Sequence, residues 1–302
     1  MDKEKNFVSA VIYLHNDANS VVKFFDSINA VLAAHFEKYE FIVVDDACTD
    51  QTIELLRNRV DTIEKPLTIL HMSVYHGLED AMNAGVDATI GDYVFEFDST
   101  QMPYDANLVW DAYRKSIEGN DIVYVCPSNI TRSSKLFYGI FNANSRSNYL
   151  ISTDAFRLTT RRAINRVHAS NSYMPYRKAA YAASGLRTAS IEFFGKVINT
   201  QKNRFSLAIN SLALYTNAGY KVSIGFTLFM MIIALIEFIY TIVIYQIGKP
   251  IEGWTTTMLV MTFGFVGLFF ILSIVIKYLS LTIDMIFRKQ KYLIESVEKI
   301  QK

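Results

Sequence analysis

Residues 7–126 alternate between short apolar runs and longer runs with helical spacing, and this alternation limits the possible folds more than any other feature. Strands are predicted over 7–14, 40–44, 67–72, 92–97 and 121–126. Helices are predicted over 21–31, from Asp50 through 52–60, and over 77–88 and 105–117. Strands separated by helices are typical of a doubly wound sheet. We therefore predict an α/β fold with a mainly parallel, Rossmann-like sheet.

Polar side chains follow three of the predicted strands, where each strand ends. They are His15, Asn16 and Asp17 after the first strand, Asp45 and Asp46 after the second, and Glu96 and Asp98 at the fourth. In an open α/β sheet, ligands bind beyond the carboxyl ends of the strands. Glu96 and Asp98 are two residues apart on a strand, so they point to the same face. They indicate either a cation site or merely the polar end of a strand.

Missing phosphate-binding motifs narrow the ligand class. No G-x-G-x-x-G follows the first strand and the chain has no P-loop, so neither a dinucleotide nor an ATP cradle is predicted. The formal net charge of +1 gives no indication of a nucleic-acid partner. Carboxylates repel a diphosphate unless a divalent cation bridges the two groups. These strand ends therefore suggest a nucleotide-sugar site with Mg²⁺ or Mn²⁺.

Two long apolar stretches follow the α/β part. Val222–Ile247 contains one charged residue, Glu237, and Trp254–Ile276 contains none. Each is long enough to cross a hydrocarbon core of about 30 Å. We predict transmembrane helices over 222–247 and 254–281, with a pair of buried core helices as the alternative. Glu237 and the small residues Gly264 and Gly267 suggest helix packing in a homo-oligomer.

Flanking charges predict the orientation of these helices. Lys221 precedes the first stretch, and Lys277 and Arg288 follow the second. By the positive-inside rule, a catalytic domain at 1–200 and both termini lie in the cytoplasm, at the inner or plasma membrane. Residues 203–216 have an apolar helical face, which predicts an interfacial helix within 201–221 or a helix packed on the catalytic domain. Residues 282–302 are predicted to form a cytoplasmic tail.

Five motifs resemble those of the family-2 glycosyltransferases, which have the GT-A fold. They read AVIYLHND (10–17), VVDDACTDQT (43–52), GLEDAMNAG (77–85), RSSKLFY (132–138) and DAFRLTTRRAI (154–164). With the two apolar stretches, they make the chain most similar to the membrane-bound polyprenyl-phosphate glycosyltransferases, the group that includes dolichol-phosphate mannose synthase.

The resemblance implies roles for particular residues. The nucleotide-sugar would be bound by His15, Asn16, Asp45, Asp46, Gly77, Glu96 and Asp98, and the metal by Glu96 and Asp98. Asp98, Asp154 and Arg157 would be catalytic, with Asp154 as general base, and the acceptor phosphate would meet Arg132, Lys135 and Arg157. Alternatives are surface ion pairs for Arg132 and Arg157, a helix cap for Asp46, and a turn role for His15 and Asn16. Four further basic residues, Arg161, Arg162, Arg177 and Lys178, are interpreted as solvated surface charges, with a contact to anionic lipid or the acceptor as the alternative.

The chain departs from the family pattern at several positions. Glu96 replaces the first Asp of D-x-D, Thr100 replaces a Gln, and Ala155 replaces an Asp. The segment 196–205 reads KVINTQKNRF where the family has a covering loop with R-x-x-G-x-S-K.

The leading hypothesis is a metal-dependent, inverting transfer of a sugar from a UDP- or GDP-sugar to undecaprenyl or dolichyl phosphate at the cytoplasmic leaflet. The departures favour an alternative, a weak or inactive homologue that acts as a membrane-anchored binding or assembly subunit. A glycosyltransferase with a protein or glycan acceptor is the third hypothesis.

Overall fold

The computed structural model describes residues 3–60, 66–144, 150–170, 174, 176–195 and 294–300, together with scattered positions between 221 and 282. The chain divides into two compact units, one of Met1–Ser211 with Arg288–Lys302 and one of Leu212–Phe287. The predicted interfacial helix at 203–216 and the degenerate covering segment 196–205 lie outside the described residues.

The first unit contains all the predicted strands and helices of the α/β part. Strands β1 (Val8–Leu14), β2 (Tyr39–Asp45), β3 (Leu67–Met72), β4 (Tyr93–Phe97) and β5 (Ile122–Pro127) confirm the five predicted strands. Helices α1 (Val21–His35), α2 (Thr52–Val60), α3 (Leu78–Asp87) and α4 (Leu108–Ile117) confirm the predicted helices. The structure adds helices α5 (Arg132–Asn144), α6 (Arg161–Ser170) and α7 (Arg177–Ala183), and strands β6 (Phe156–Thr160), β7 (Thr188–Phe193) and β8 (Ile294–Ile300).

The eight described strands form one sheet in the order β7-β5-β6-β4-β1-β2-β3-β8. Strand β1 pairs in parallel with β2 and β4, and β2 pairs in parallel with β3. Strand β6 is antiparallel to both β4 and β5, and β8 is antiparallel to β3. The sheet is therefore mainly parallel, as predicted, and the carboxyl ends of β1 to β4 meet at one edge.

Alternate residues of the strands pack on opposite faces. Phe95 and Phe97 face the core that holds α1, α2 and α4, whereas Val94 faces a second core with α3. The close approach of α3 depends on Gly85, because a Cβ there would lie 2.5 Å from Val11 Cγ1 and 2.6 Å from Val44 Cγ2. The last glycine of the motif GLEDAMNAG (77–85) is therefore required by the packing of α3 against β1 and β2.

Residues 294–300, which lie in the predicted cytoplasmic tail, form strand β8 of the sheet. They pair with β3 and belong to the first compact unit, which therefore includes residues beyond the predicted domain bound of 200. No local signal predicts this, because the strand alternates only weakly and its partner is far away in the sequence.

Many residues of the predicted transmembrane helices, Glu237 among them, lie outside the described residues. Within the described part, no helix combines the length and the apolar character that a membrane crossing requires. A Cβ at Gly267 would lie 2.5 Å from Phe226 Cε1 of the same chain. This glycine, which we predicted to face another subunit, therefore packs within the chain.

Candidate active site

Glu96 lies near the end of β4 and is completely buried, with 0% exposure. Its Oε1 accepts hydrogen bonds from Tyr181 at 2.7 Å and Thr159 at 3.0 Å. Its Oε2 accepts from Arg157 Nη1 at 3.3 Å and from Arg177 Nη1. Four donors thus surround this carboxylate, as a buried charge requires.

Asp98 points to the same side of the sheet as Glu96, as predicted, but it keeps 22% of its side chain exposed. Its Oδ1 accepts from Arg177 Nη2 at 2.7 Å, and its Oδ2 accepts from Arg157 Nη2. Burial opposes ionisation of this carboxyl, but the charges of Arg157 and Arg177 outweigh burial and lower its pKa to about 2. Asp98 is therefore a permanent anion at neutral pH.

Arg157 and Arg177 bridge the carboxylates. Arg157 stands opposite Glu96 in the register of β6 and β4, and its Nε donates to Asp154 Oδ2 at 2.9 Å. Arg177 is held at the start of α7, where its backbone N and its Nε donate to Glu79 Oε2 at 3.0 and 3.1 Å. Burial lowers the pKa of each guanidinium, but the surrounding carboxylates outweigh burial and raise both pKa values.

Asp154, the predicted general base, is part of the same cluster. Its Oδ1 forms an ion pair with Lys178, and its Oδ2 accepts from Arg157. Lys178 Nζ also donates to the Ser152 carbonyl at 2.8 Å. With both its oxygens engaged and 4% of its side chain exposed, Asp154 is held as an ion-pair partner, and its role as base stays a prediction.

We define the arginine cluster as these seven ionised side chains. They are the carboxylates Glu79, Glu96, Asp98 and Asp154 and the cations Arg157, Arg177 and Lys178. Four negative and three positive charges leave a net charge of −1. Such a cluster is well paired internally but attracts a further cation more than an anion.

Two residues of the arginine cluster contradict the sequence interpretation. The sequence favours solvated surface charges for Arg177 and Lys178, but the two residues are only 0% and 6% exposed. The sequence contains a signal for the burial of Arg177 only: Arg177 and Tyr181 are four residues apart among alanines, so they share one face of a short helix. Both side chains reach Glu96 from that face.

The other basic candidates lie elsewhere. Arg161 donates to the Gly91 carbonyl, and Arg162 forms an ion pair with Asp121 at 2.5 Å. Arg132 and Lys135 are exposed in the first turns of α5. The predicted phosphate contacts of Arg132, Lys135 and Arg157 stay predictions. For Arg157, all three guanidinium nitrogens already donate to carboxylates.

Asp46, at the end of β2, is completely buried and holds a loop in place. Its carboxylate accepts from Tyr13 Oη at 2.9 Å and from the backbone N atoms of His76 at 2.8 Å and Gly77 at 2.9 Å. Gly77, at φ 84°, is the N-cap residue of α3. Asp46 does not cap α2, because Asp50 accepts from the Thr52 N at 3.0 Å instead.

Three further predicted donor-binding residues surround Asp46. Asp45 accepts from the Cys48 N at 2.9 Å and lies 2.7 Å from His71 Nδ1. His15 Nδ1 lies 2.7 Å from the Asp46 carbonyl, and Asn16 Oδ1 accepts from the Thr49 N at 2.8 Å. These contacts join the loops after β1 and β2. Binding of a donor by His15, Asn16, Asp45, Asp46 or Gly77 stays a prediction.

The two carboxylates predicted to hold a metal fit that role unequally. Within the residues that the structure describes, no three His, Cys, Asp or Glu side chains are arranged as a metal site. Glu96 does not fit, because four donors fill its oxygens and it has no exposure. Asp98 fits, because each oxygen accepts one arginine N–H and keeps a second lone pair. Mg²⁺ is often held by one or two carboxylates together with substrate phosphates.

A mainly parallel sheet with acidic strand ends at one edge agrees with the GT-A fold that the motifs predict. A mannosyltransferase from Pyrobaculum calidifontis, solved with GDP-Man and Mn²⁺, matches with a TM-score of 0.51 and 17% identity over 72% of this chain and 64% of that one. A glucosyl-3-phosphoglycerate synthase from Mycobacterium tuberculosis, solved with Mn²⁺, UDP and phosphoglyceric acid, matches with a TM-score of 0.51 and 16% identity over 69% and 76%. Both likenesses concern the fold.

Residues 9–181 match glycosyl transferase family 2, and because this is more than half of the chain, the protein belongs to that family. An uncharacterised glycosyltransferase of Synechocystis is 25% identical over 62% of this chain, which spans 60% of that relative's length. The uncharacterised glycosyltransferase YkcC of Bacillus subtilis is 20% identical over 91% of this chain and 89% of its own. An undecaprenyl-phosphate 4-deoxy-4-formamido-L-arabinose transferase of Edwardsiella ictaluri is 23% identical over 60% and 58%.

Proposed function

We propose that the protein transfers a sugar from a nucleoside-diphosphate sugar to a polyprenyl phosphate, with Mg²⁺ or Mn²⁺ held at Asp98. The observation that carries this proposal is the contrast within the arginine cluster. Glu96 is filled and buried, whereas Asp98 is fixed by two arginines and still partly open. A carboxylate that is fixed, ionised and accessible suits a cation shared with a diphosphate.

The charge of the cluster explains why a cation is needed. A diphosphate that approaches a net charge of −1 is repelled, whereas a divalent ion at Asp98 changes the net charge to +1. The metal, when bound, supplies neutralisation of the leaving diphosphate. Arg157 and Arg177 hold Asp98 in place and keep it ionised. Inversion at the anomeric carbon is implied by the family resemblance.

The acceptor is proposed from its chemistry and from one relative. A phosphate monoester is anionic near neutral pH, so its oxygen attacks the sugar without a strong general base. Such an acceptor suits this site, because Asp154, the predicted base, is engaged in ion pairs with Lys178 and Arg157. The Edwardsiella relative is named as an undecaprenyl-phosphate transferase.

Membrane attachment is part of the same proposal. The apolar stretches 222–247 and 254–281 follow the catalytic domain in sequence and would bring it to a lipid acceptor at the cytoplasmic leaflet. Arg132 and Lys135, exposed on α5, are available to an anionic acceptor.

A second candidate function is a membrane-anchored binding or assembly subunit with little turnover. It is favoured by Glu96, which replaces the first Asp of the family's D-x-D and is fully engaged by other side chains. Such a subunit would bind a nucleotide-sugar and leave it intact.

Purified full-length protein tests both candidates when it is incubated with Mn²⁺, a panel of UDP- and GDP-sugars, and either undecaprenyl phosphate or a non-lipid glycan. We expect lipid-linked sugar, and a loss of about 10²–10³-fold in Asp98→Asn, because the charge that supports the diphosphate is removed. Glu118→Gln, at an exposed carboxylate, is the matched control and keeps wild-type turnover. Nucleotide binding without turnover supports the assembly subunit, and turnover only with the glycan contradicts the lipid acceptor.

A further inference from the structure

The carboxyl-terminal strand β8 lies beside β3 at the edge of the sheet. Thr68 faces Lys299 and Leu70 faces Val297, but the register shifts between His71 and Met72. Because Ser296 faces His71 and Ile294 faces Met72, Glu295 is an extra residue in a β-bulge. Bulges redirect a side chain and are frequent beside active sites.

A cavity of 420 Å³ opens at this bulge, beyond the carboxyl ends of β2 and β3. The segment after β2 contributes Asp45, Ala47, Cys48 and Thr49, and the end of β3 contributes His71, Met72 and Ser73. Arg57 of α2 and the pair Glu295 and Ser296 of β8 complete the lining. Strand β8 is therefore one wall of a cavity at the edge where a doubly wound sheet binds its ligand.

A chain of polar contacts joins β8 to Asp45 in this cavity. Glu298 Oε2 accepts from Arg57 Nη2 at 2.6 Å and lies 3.4 Å from His71 Nε2. The other ring nitrogen of His71 lies 2.7 Å from Asp45 Oδ2. Glu298 thus fixes the His71 ring, and the ring fixes the Asp45 carboxylate.

The cavity stands at a suitable distance from Asp98. Strands β3, β2, β1 and β4 are consecutive neighbours, and adjacent strands are about 4.8 Å apart. The ends of β2 and β3 therefore lie roughly 10–14 Å from the end of β4. A ribose and a diphosphate fill a gap of this order, so a base in the cavity leaves its phosphates near Asp98.

The family resemblance already implies that Asp45 binds the nucleotide, and we infer that strand β8 completes the nucleobase end of that site, with Glu295 as a specificity-determining residue and Glu298 as a positioning residue for Asp45. The inference rests on the nucleotide-sugar donor of the proposed function. Carboxylates accept hydrogen bonds and donate none. Two carboxylates at one base, those of Asp45 and Glu295, favour a base edge with a ring N–H, as in uracil and guanine. They disfavour cytosine and adenine, whose ring nitrogens present lone pairs at that edge.

Calorimetric titration of the full chain with Mn²⁺ tests the inference, using UDP, GDP, CDP, ADP and the base-free probe pyrophosphate. We expect wild type to bind UDP or GDP at least tenfold more tightly than CDP and ADP. Glu295→Gln weakens the preferred nucleotide about tenfold and changes pyrophosphate binding less than twofold. Lys299→Ala, at an exposed position of the same strand, is the control and stays within twofold of wild type for every probe.

The positioning role of Glu298 has its own readout in sugar transfer. Glu298→Gln raises the donor KM about threefold to fivefold and leaves kcat within twofold, because the phosphate end of the site is untouched. Unchanged pyrophosphate binding in each variant shows that the domain is folded.

The outcomes separate the inference from the function on which it rests. Wild type that binds UDP or GDP, with variants that bind equally well, overturns the inference alone. A loss in Glu295→Gln that is equal for pyrophosphate and nucleotide also overturns it. Wild type that binds no nucleotide overturns both proposals.

Discussion

The acidic residues at the ends of β2 and β4 are stabilised in opposite ways. Asp46, after β2, is held by a tyrosine hydroxyl and two backbone N–H groups, all of them neutral. Glu96, at β4, is held by two arginines together with two hydroxyls. Each of these acids has an acidic neighbour in the sequence. Asp45, next to Asp46, lines the cavity at β8, and Asp98, two residues after Glu96, is partly exposed to solvent. Asp46 and Glu96 are framework residues, and the proposed function assigns ligand binding to their neighbours Asp45 and Asp98.

The largest effect is expected where a cation is removed from the arginine cluster. Arg177→Met leaves Glu96 and Asp98 with one arginine each instead of two, and it removes the guanidinium partner of Glu79. Because an uncompensated buried charge is costly, the free energy of unfolding should fall by about 3–5 kcal/mol in urea titrations. Arg114→Met is the matched control, since Arg114 is 59% exposed and pairs with Asp111 at the surface, and it should lose at most about 1 kcal/mol. Equal losses in the two variants would contradict a buried, charge-held framework.

A smaller effect is expected from acid. The pKa of Asp98 in the folded protein, about 2, lies below its ordinary value of 3.8. A lowered pKa means that its stabilisation is complete above pH 3.8 and is lost as the pH falls toward 2. About 2 kcal/mol should disappear across this window in wild type and be missing from Asp98→Asn. Urea titrations at successive pH values measure the difference, with Glu118→Gln as the control that follows wild type. Parallel curves for wild type and Asp98→Asn would refute the charge-based account.

The smallest effect is expected at the neutral framework of Asp46. Tyr13→Phe removes one of three hydrogen bonds to this carboxylate and should cost about 1 kcal/mol in the free energy of unfolding. Tyr39→Phe is the control, because its hydroxyl donates to Asn29 at the same distance of 2.9 Å, at the amino end of β2 and thus away from the carboxyl ends of the strands. Both variants should lose similar stability, but only Tyr13→Phe should raise the donor KM. A stability loss above about 3 kcal/mol in Tyr13→Phe alone would make Asp46 as dependent on its partners as Glu96.

The periodic part of the sequence was sufficient to predict β1–β5 and α1–α4. The helices bury one face at a regular spacing, and strands such as β1, β2 and β5 are short apolar runs buried on both faces, so both signals are local. Strands β6, β7 and β8 were not predicted. The first two do alternate apolar and polar residues, as FRLTT and TASIEF, but this short signal was not recognised, whereas β8, IESVEKI, has no regular alternation. The partner of β8 is β3, and in the sequence the two strands are separated by the apolar stretches.

The meeting of the acidic strand ends was predicted from the sequence, but the cations that surround them were not. The acidic strand ends do meet at one edge of the sheet, and Glu96 and Asp98 do share a face. The sequence does not reveal that Arg157 and Arg177 converge on both carboxylates, because the three segments come together only in the folded sheet. The residue type alone does not indicate whether an arginine is buried or solvated, because burial depends on the residues that pack and pair with it.

The position of β8 also has a consequence for the synthesis of the protein. His71 and Glu298 are 227 residues apart. At about 5–20 residues per second, a ribosome needs roughly 10–45 s to add the intervening chain. During that time β3 presents an unpaired edge, which is a template for pairing with other chains. A polypeptide released before residue 294 keeps this open edge, so premature termination yields a product prone to aggregation even though most of its sheet is complete.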